Sequence, residues 1–206
     1  MVMILQTIIY LIRHTESEKN SKTINENLLL THFGESCAEK LSKCEELKNI
    51  DVIFSSTYMR AKETAEYIAY ENNIELRSVS AFDERKIGSR EFVIENWKGK
   101  PYSYTTGQLL DEDLKDEGGE SAKEVRERFT KAFNDILKAN SGSRVVIVSH
   151  AAAIKYFLMN YCTLDSSYNL IYNGKKLIGK KLDYPEFIKF VFNGSKVIDI
   201  TCESCE

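Results

Sequence analysis

A chain of 206 residues, 43% of them hydrophobic and 29% charged, can bury a substantial core and is too rich in apolar side chains for wholesale disorder. With 10 Gly and 2 Pro it is neither collagenous nor linker-like. A net charge of −3 gives no general attraction for the nucleic-acid backbone or for anionic lipid, so any anion must be held by a local cluster.

The opening run MVMILQTIIYLI is apolar but has no basic start and no small-residue cleavage site, and it meets Arg13, His14 and Glu16 at once, so it reads as a strand rather than a leader. No stretch reaches the ~18 consecutive apolar residues of a membrane-spanning helix, which places the chain in solution with no membrane partner. The pattern predicts a strand over 7–12, a loop, and a helix over 31–47 that Thr31 can cap. A strand over 51–55, a helix over 60–71 with Ala61, Ala65 and Ile68 inward, and a strand over 74–79 come next. Between 91 and 117 the periodicity fades, and this stretch, with Trp97, Tyr102 and Tyr104, reads as an excursion or lid. A helix over 121–139 carries Val125, Phe129, Phe133 and Ile136, the run RVVIVS makes a strand over 144–149, and a helix over 151–160 follows directly. Segments 187–192 and 196–200, joined at Asn193 and Gly194, form a closing hairpin. Strands alternating with helices predict a three-layer α/β/α sandwich with a largely parallel central sheet, as one domain over 1–206. Such sheets place their sites at the carboxyl ends of the strands.

Five Cys, an odd number, in a chain of this size favour reduced thiols and a cytoplasmic setting. Cys37, Leu41, Cys44 and Leu47 share one helical stripe that reads as core, while Cys202 and Cys205 read as tail thiols. Lys175, Lys176, Lys180 and Lys181 read as the flanks of a solvated turn.

Of the three His, His14 and His150 each end a predicted strand, so both fall on the same crevice although they are far apart in the chain. Neither has carboxylates or thiols at zinc-ligand spacing. From these residues the sequence resembles the histidine phosphatase superfamily, also called phosphoglycerate mutase-like. LIRHTES is similar to the family's Arg-His-Gly-Glu-Ser/Thr signature, SSTYMRAKETA to its Ser-Ser-x-x-x-Arg segment, and FDERKIG to the segment carrying its proton donor; GGES, VSHAAAIK and LLLTHFGESCAEKLS are similar to its other landmarks. The resemblance spans about residues 8–158. It implies His14 as nucleophile, Glu84 as proton donor, His150 as a second catalytic residue, and Arg13, Asn20, Arg60, His150 and Ala151 as the phosphate pocket. His32 is left as a helix-start residue without a chemical role.

These residue types suit that chemistry. Arg13 and Arg60 offer planar donor forks for phosphate oxygens. Their charges disfavour protonation of His14, leaving a neutral imidazole able to attack phosphorus and form a phosphohistidine. Donors around the equatorial oxygens stand in for a metal, so no cofactor is expected. Glu84, desolvated beside an anion, is suited to protonate the leaving oxygen and then to activate water. The neighbouring Asp83 is the competing carboxylate.

The sequence departs from the family where Thr15 and Ala151 stand in place of Gly, putting side chains where the backbone should approach phosphate, and where GSREF replaces the Gly-x-Trp-x-Gly run. The expected function is a metal-independent phosphomonoesterase acting on a small phosphorylated metabolite. The alternatives are a phosphoglycerate mutase and a non-catalytic phospho-ligand-binding module. Nucleic acid is not an expected partner, and the oligomeric state is not legible.

Overall fold

The computed structural model describes residues 6–19, 25–179, 182–183 and 185–205. A central sheet has the strand order β3, β2, β4, β1, β8, β9. Strands β1 (Gln6–Arg13), β2 (Val52–Ser55), β3 (Leu76–Ser78) and β4 (Arg144–Ser149) run parallel, and β8 (Glu186–Asn193) and β9 (Lys196–Ser204) close one edge as an antiparallel hairpin. The predicted sandwich and its mostly parallel sheet are what the chain forms.

The continuous apolar runs of β1 and β4 follow from burial on both faces, because a strand covered above and below has no solvent side to mark with polar residues. Ile9, Leu11, Val145 and Ile147 face one core, packed beneath α5 (Ala122–Ala139) and α6 (Ala151–Leu158). Tyr10, Ile12, Val146 and Val148 face a second core with Ala61, Ala65 and Ile68 of α2 (Met59–Glu71) and with Leu41 of α1 (His32–Ser42). In the first core Phe133 meets Phe157 at 4.6 Å and Phe190 at 5.5 Å between ring centroids, tying helix layer to hairpin. Emptying such a site costs about 3–5 kcal/mol. Ser121 and Glu124 form a reciprocal capping box that starts α5.

Several expectations are corrected. The first helix stops at Ser42, not at 47, and residues 45–47 form a separate 3₁₀ turn. Cys44, between the two, is bonded to Cys205, so the five cysteines are not all reduced and Cys205 is not a tail thiol; Cys37, Cys162 and Cys202 are free. Strand β9 runs on to Ser204 and so carries Cys205 back to the α1 layer, a pairing that chain spacing does not reveal. The stretch read as an excursion or lid holds two short helices, α3 (Arg90–Trp97) and α4 (Tyr104–Leu110), which pack through the Trp97 and Tyr104 rings, 4.9 Å apart. The expected lysine turn is instead a small three-stranded sheet of β5 (Thr163–Leu164), β6 (Leu170–Tyr172) and β7 (Lys175–Ile178), in which Leu177 and Ile178 are buried; Lys180 and Lys181 lie outside the described residues. Among the described residues no helix is long and apolar enough to cross a membrane.

Candidate active site

Strands β1 and β4 are paired with Arg13 opposite Ser149, and the main-chain N–H of His14 donates to the Ser149 carbonyl at 2.9 Å. The residues leaving the two strands are therefore neighbours, and the His14 and His150 rings lie 5.1 Å apart at 61°. The end of β2 is tied to the same edge by the Ser56 N–H, which donates to the Val148 carbonyl at 2.9 Å, and this sets the entry of α2 and with it Arg60.

Hydrogen bonding assigns both tautomers. His14 Nδ1 lies 2.7 Å from the Thr15 carbonyl, which can only accept, so Nδ1 carries the proton and Nε2 the lone pair. Ser56 has one hydroxyl proton and donates it to Asp83 at 2.8 Å, so at 2.7 Å it accepts from the Nε2–H of His150. Arg60 serves both remaining lone pairs: Nε donates to His14 Nε2 at 3.0 Å and a terminal nitrogen to His150 Nδ1 at 3.2 Å. Burial, and next the Arg60 charge, push His14 from 6.5 down to about 3. Burial likewise holds His150 well below its usual range, followed by His14 and Arg60. The expected neutral nucleophile is thus present, with desolvation rather than the guanidinium groups as the larger cause.

Beside these rings opens a cavity of about 740 Å³ whose wall includes Arg13, His14, Glu84 and Ala151. Arg60 and His150 are buried next to His14 but are not part of that wall, so the two do not yet form the phosphate clamp that the sequence suggests. Arg13 reaches the cavity while donating to the Leu182 carbonyl at 2.8 Å. Asn20 lies outside the described residues. His32 is exposed at the start of α1 beside Glu35.

The two adjacent carboxylates divide clearly. Asp83 is committed to the β2–α2 turn, accepting from Ser56, from the Thr57 N–H at 2.7 Å and from the Thr57 hydroxyl at 2.9 Å. Glu84 faces the cavity and caps α6, accepting from the N–H groups of Ala152 at 3.4 Å and Ala153 at 3.2 Å. Arg128 of α5 clamps this stretch by donating to the carbonyls of Ala81, Asp83 and Glu84 while paired with Glu120 at 2.9 Å. Gly88 ends it at φ +80, where a Cβ would lie 2.7 Å from the Glu117 carbonyl oxygen.

Thr15 and Ala151, which stand where the family has Gly, both line the cavity. The Thr15 hydroxyl is buried and donates to the Gly34 carbonyl at 2.8 Å, and its N–H donates to Thr64 at 3.1 Å. Gly34 is required at this crossing, because a Cβ there would stand 1.9 Å from the Glu16 carbonyl oxygen.

Sequence reasoning missed Lys155 and Arg85, both in the cavity wall. Lys155 is a buried cation on the otherwise apolar helix AAAIKYFL, and that contrast was the available signal. Burial, with Arg13 nearby, lowers it from 10.5 to about 8. Arg85 donates to Gln108 at 2.6 Å and to the Tyr156 hydroxyl, anchoring α4 to α6. Among the described residues no three His, Cys, Asp or Glu side chains gather as a metal ion would require.

Comparison with known proteins bears on the family and the fold. The model of the histidine phosphatase superfamily (branch 1) matches residues 9–170. The probable phosphoglycerate mutase GpmB of Salmonella paratyphi A is 28% identical over 158 residues, covering 71% of this chain and 70% of that protein. Among solved structures, the fold is similar to that of a mycobacterial glucosyl-3-phosphoglycerate phosphatase, with a TM-score of 0.71 at 16% identity over 96% of both chains. It is also similar to that of a phosphoserine phosphatase mutant from Entamoeba histolytica in complex with phosphoserine, with a TM-score of 0.67 at 24% identity over 95% of this chain and 96% of that one.

Proposed function

The chain belongs to the histidine phosphatase superfamily, branch 1, and on that footing we propose that it is a metal-independent phosphomonoesterase of small phosphorylated metabolites, working through a phosphohistidine. The observation that carries the reading is His14: a buried, neutral imidazole whose Nδ1 proton is held by a carbonyl, placed in the wall of a cavity that Glu84 also lines. An imidazole so fixed presents Nε2 as a nucleophile.

In this mechanism the phosphate of the substrate enters beside Arg13, and the Arg60 donors turn from the imidazoles to the phosphate oxygens. That move uncovers the Nε2 lone pair of His14 and frees Nδ1 of His150, which takes up a proton beside the phosphate dianion and joins the clamp as a donor. Nε2 attacks phosphorus in line, the bond to the leaving oxygen breaks, and Glu84 in its protonated form supplies the proton that oxygen needs. Charge on the equatorial oxygens is met by Arg13, Arg60 and the start of α6 at Ala151. Water, activated by the now ionised Glu84, then attacks the phosphohistidine and releases phosphate, restoring both groups. Asn20 belongs to the proposed pocket through its motif.

A cytoplasmic setting remains part of the proposal on the free thiols of Cys37, Cys162 and Cys202, with the Cys44–Cys205 bridge counting against it. The mutase reading is supported by the name of the Salmonella relative. One experiment separates these outcomes: hydrolysis of p-nitrophenyl phosphate and 3-phosphoglycerate in the presence of a chelator. Steady phosphate release that disappears in His14→Ala supports the phosphatase. Transfer between two positions of phosphoglycerate faster than release supports the mutase. Activity retained in His14→Ala, or lost to the chelator, defeats the mechanism, and no turnover of either ester returns the site to ligand binding.

A further inference from the structure

The phosphohistidine mechanism asks His150 to gain a proton when phosphate arrives, yet its surroundings oppose that gain. Burial opposes it most, followed by His14 at the end of β1 and Arg60 of α2, and then by Arg128 of α5 and Arg13. The Tyr58 ring stands edge-on to His150 at 5.0 Å, and Glu84 is turned to the N–H of Ala152 at 3.4 Å. A carboxylate that the mechanism does not use stands behind the ring.

That carboxylate is Asp83. The Ser56 N–H, bonded to the Val148 carbonyl, sets Ser56 beside the end of β4, and the Ser149 hydroxyl, donating to the Phe82 carbonyl at 2.7 Å, draws the residues before Asp83 to the same edge. A continuous chain results: the Nε2–H of His150 donates to Ser56 Oγ at 2.7 Å, and the Ser56 hydroxyl donates to Asp83 Oδ1 at 2.8 Å. His150 and Ser56 are fully buried. The other hydrogen-bond donors to the carboxylate are the N–H and the hydroxyl of Thr57, neither of them a cation. Arg128 reaches only the main-chain carbonyl of Asp83, at 3.0 Å.

The direction of this chain decides what it can do. Nε2 carries a proton whether the ring is neutral or cationic, so its bond to Ser56 survives in both states and only Nδ1 changes. The single Ser56 proton is drawn to the carboxylate, which leaves the hydroxyl oxygen a stronger acceptor for Nε2–H. That bond strengthens further once the ring is cationic. In a buried site, where charges are weakly screened, a carboxylate two hydrogen bonds away favours the imidazolium more than it would in water. Such a partner on one ring nitrogen sets the orientation and basicity of the other.

We propose that Asp83, acting through Ser56, is the positioning residue for His150: the chain holds Nδ1 toward Arg60 and the phosphate that takes its place, and it stabilises the imidazolium that forms when the dianion enters and Nδ1 takes a proton from solvent. The proposal rests on the phosphomonoesterase reading, but its test needs no turnover. The probe is inorganic phosphate, and the readout is the nitrogen-15 resonances of the His150 ring, assigned by their loss in His150→Asn. With phosphate bound at pH 7 the wild-type ring is expected to show two N–H groups. Asp83→Asn keeps an acceptor for Ser56 and Thr57 but removes the charge. Its phosphate-bound ring is expected to lose the proton about one pH unit or more lower, and phosphate affinity is expected to fall roughly 10–100-fold, the usual effect of losing a partner behind an imidazole. Ser56→Ala cuts the chain in the middle while leaving Asp83 bonded to Thr57 and should give the same losses. The double variant should lose no more than either single one, because both act along one path. Circular dichroism checks folding, and either folded variant decides the midpoint. A purely structural role for Asp83 would lower the melting temperature and leave that midpoint in place. Phosphate bound beside a neutral His150, a midpoint unmoved in a folded variant, or losses that multiply in the double variant overturns the proposal. Phosphate release by the wild-type protein is scored separately: its absence with every ester defeats the phosphatase reading alone, whereas failure to bind phosphate at all defeats both.

Discussion

Arg60 Nε stands 3.0 Å from Nε2 of His14 and donates into the lone pair that the mechanism needs. The same guanidinium bonds His150 at 3.2 Å and the Asn25 carbonyl at 2.6 Å, so three of its five N–H groups are engaged, and freeing the Nε2 lone pair of His14 requires the Nε–H to leave it. Arg60→Lys keeps a cation but removes the fork. Single-turnover labelling of His14 is expected to slow by roughly 10²–10³-fold, the effect of removing a well-aimed transition-state donor. Labelling at the wild-type rate would show that the exchange does not occur.

The depressed His14 fixes two pH signatures. Folded His14 titrates at about 3 and the free side chain at 6.5, so between these values the unfolded chain binds more protons. The stability contribution is complete above pH 6.5 and is lost progressively as pH falls toward 3. Denaturant unfolding at pH 7, 5.5 and 4.5 should show that decline, with a shallower slope in His14→Ala. The His14 ring resonance should not titrate between pH 8 and 5; a midpoint near 6.5 would contradict the burial argument.

Glu84→Gln preserves an acceptor for the α6 N–H groups at Ala152 and Ala153 but removes the transferable proton. For alkyl phosphates kcat is expected to drop about 10²–10⁴-fold, the usual contribution of a general acid. For p-nitrophenyl phosphate, whose leaving group departs without a proton, the first step should be far less affected. Equal losses with both ester types would remove Glu84 from the acid role.

Thr15 donates its buried hydroxyl to the Gly34 carbonyl. Thr15→Val removes that bond while the Gly34 carbonyl keeps its helical partner four residues on in α1, so the unfolding free energy should fall by about 0.5–1.5 kcal/mol, the net worth of one hydrogen bond. Urea denaturation measures the change, and an unchanged midpoint would mean that the Thr15–Gly34 bond adds no net stability.

The Cys44–Cys205 bridge closes a sequence separation of 161 residues. Chain-entropy reasoning sets its contribution at about 2–5 kcal/mol. Cys44→Ser, or reductant, should lower the melting temperature, and a thiol count should rise by two on reduction of the unfolded chain. A count of five thiols before reduction would show that the bridge does not form.

Much of the fold is legible in the chain because burial on two faces leaves a mark that needs no partner to interpret: unbroken apolar strands such as RVVIVS, set between helices with one apolar face. His14 and His150 are legible for the same reason, since each stands where such a run ends. The stretch with Trp97 and Tyr104 is not, because its two short helices gain their order from packing on each other and on Arg85 rather than from internal periodicity.

What lies beyond the reach of residue order is everything fixed by register and by contact across the chain. Pairing Arg13 with Ser149, rather than one residue earlier or later, is what brings the two imidazoles within 5.1 Å. Contacts made in the folded state then choose their tautomers, bind the Thr15 hydroxyl to Gly34, separate Asp83 from Glu84 and join Cys44 to Cys205. Apolar patterning is a local property repeated along the backbone, whereas direction, protonation and covalent pairing depend on which groups meet in space once the layers have closed.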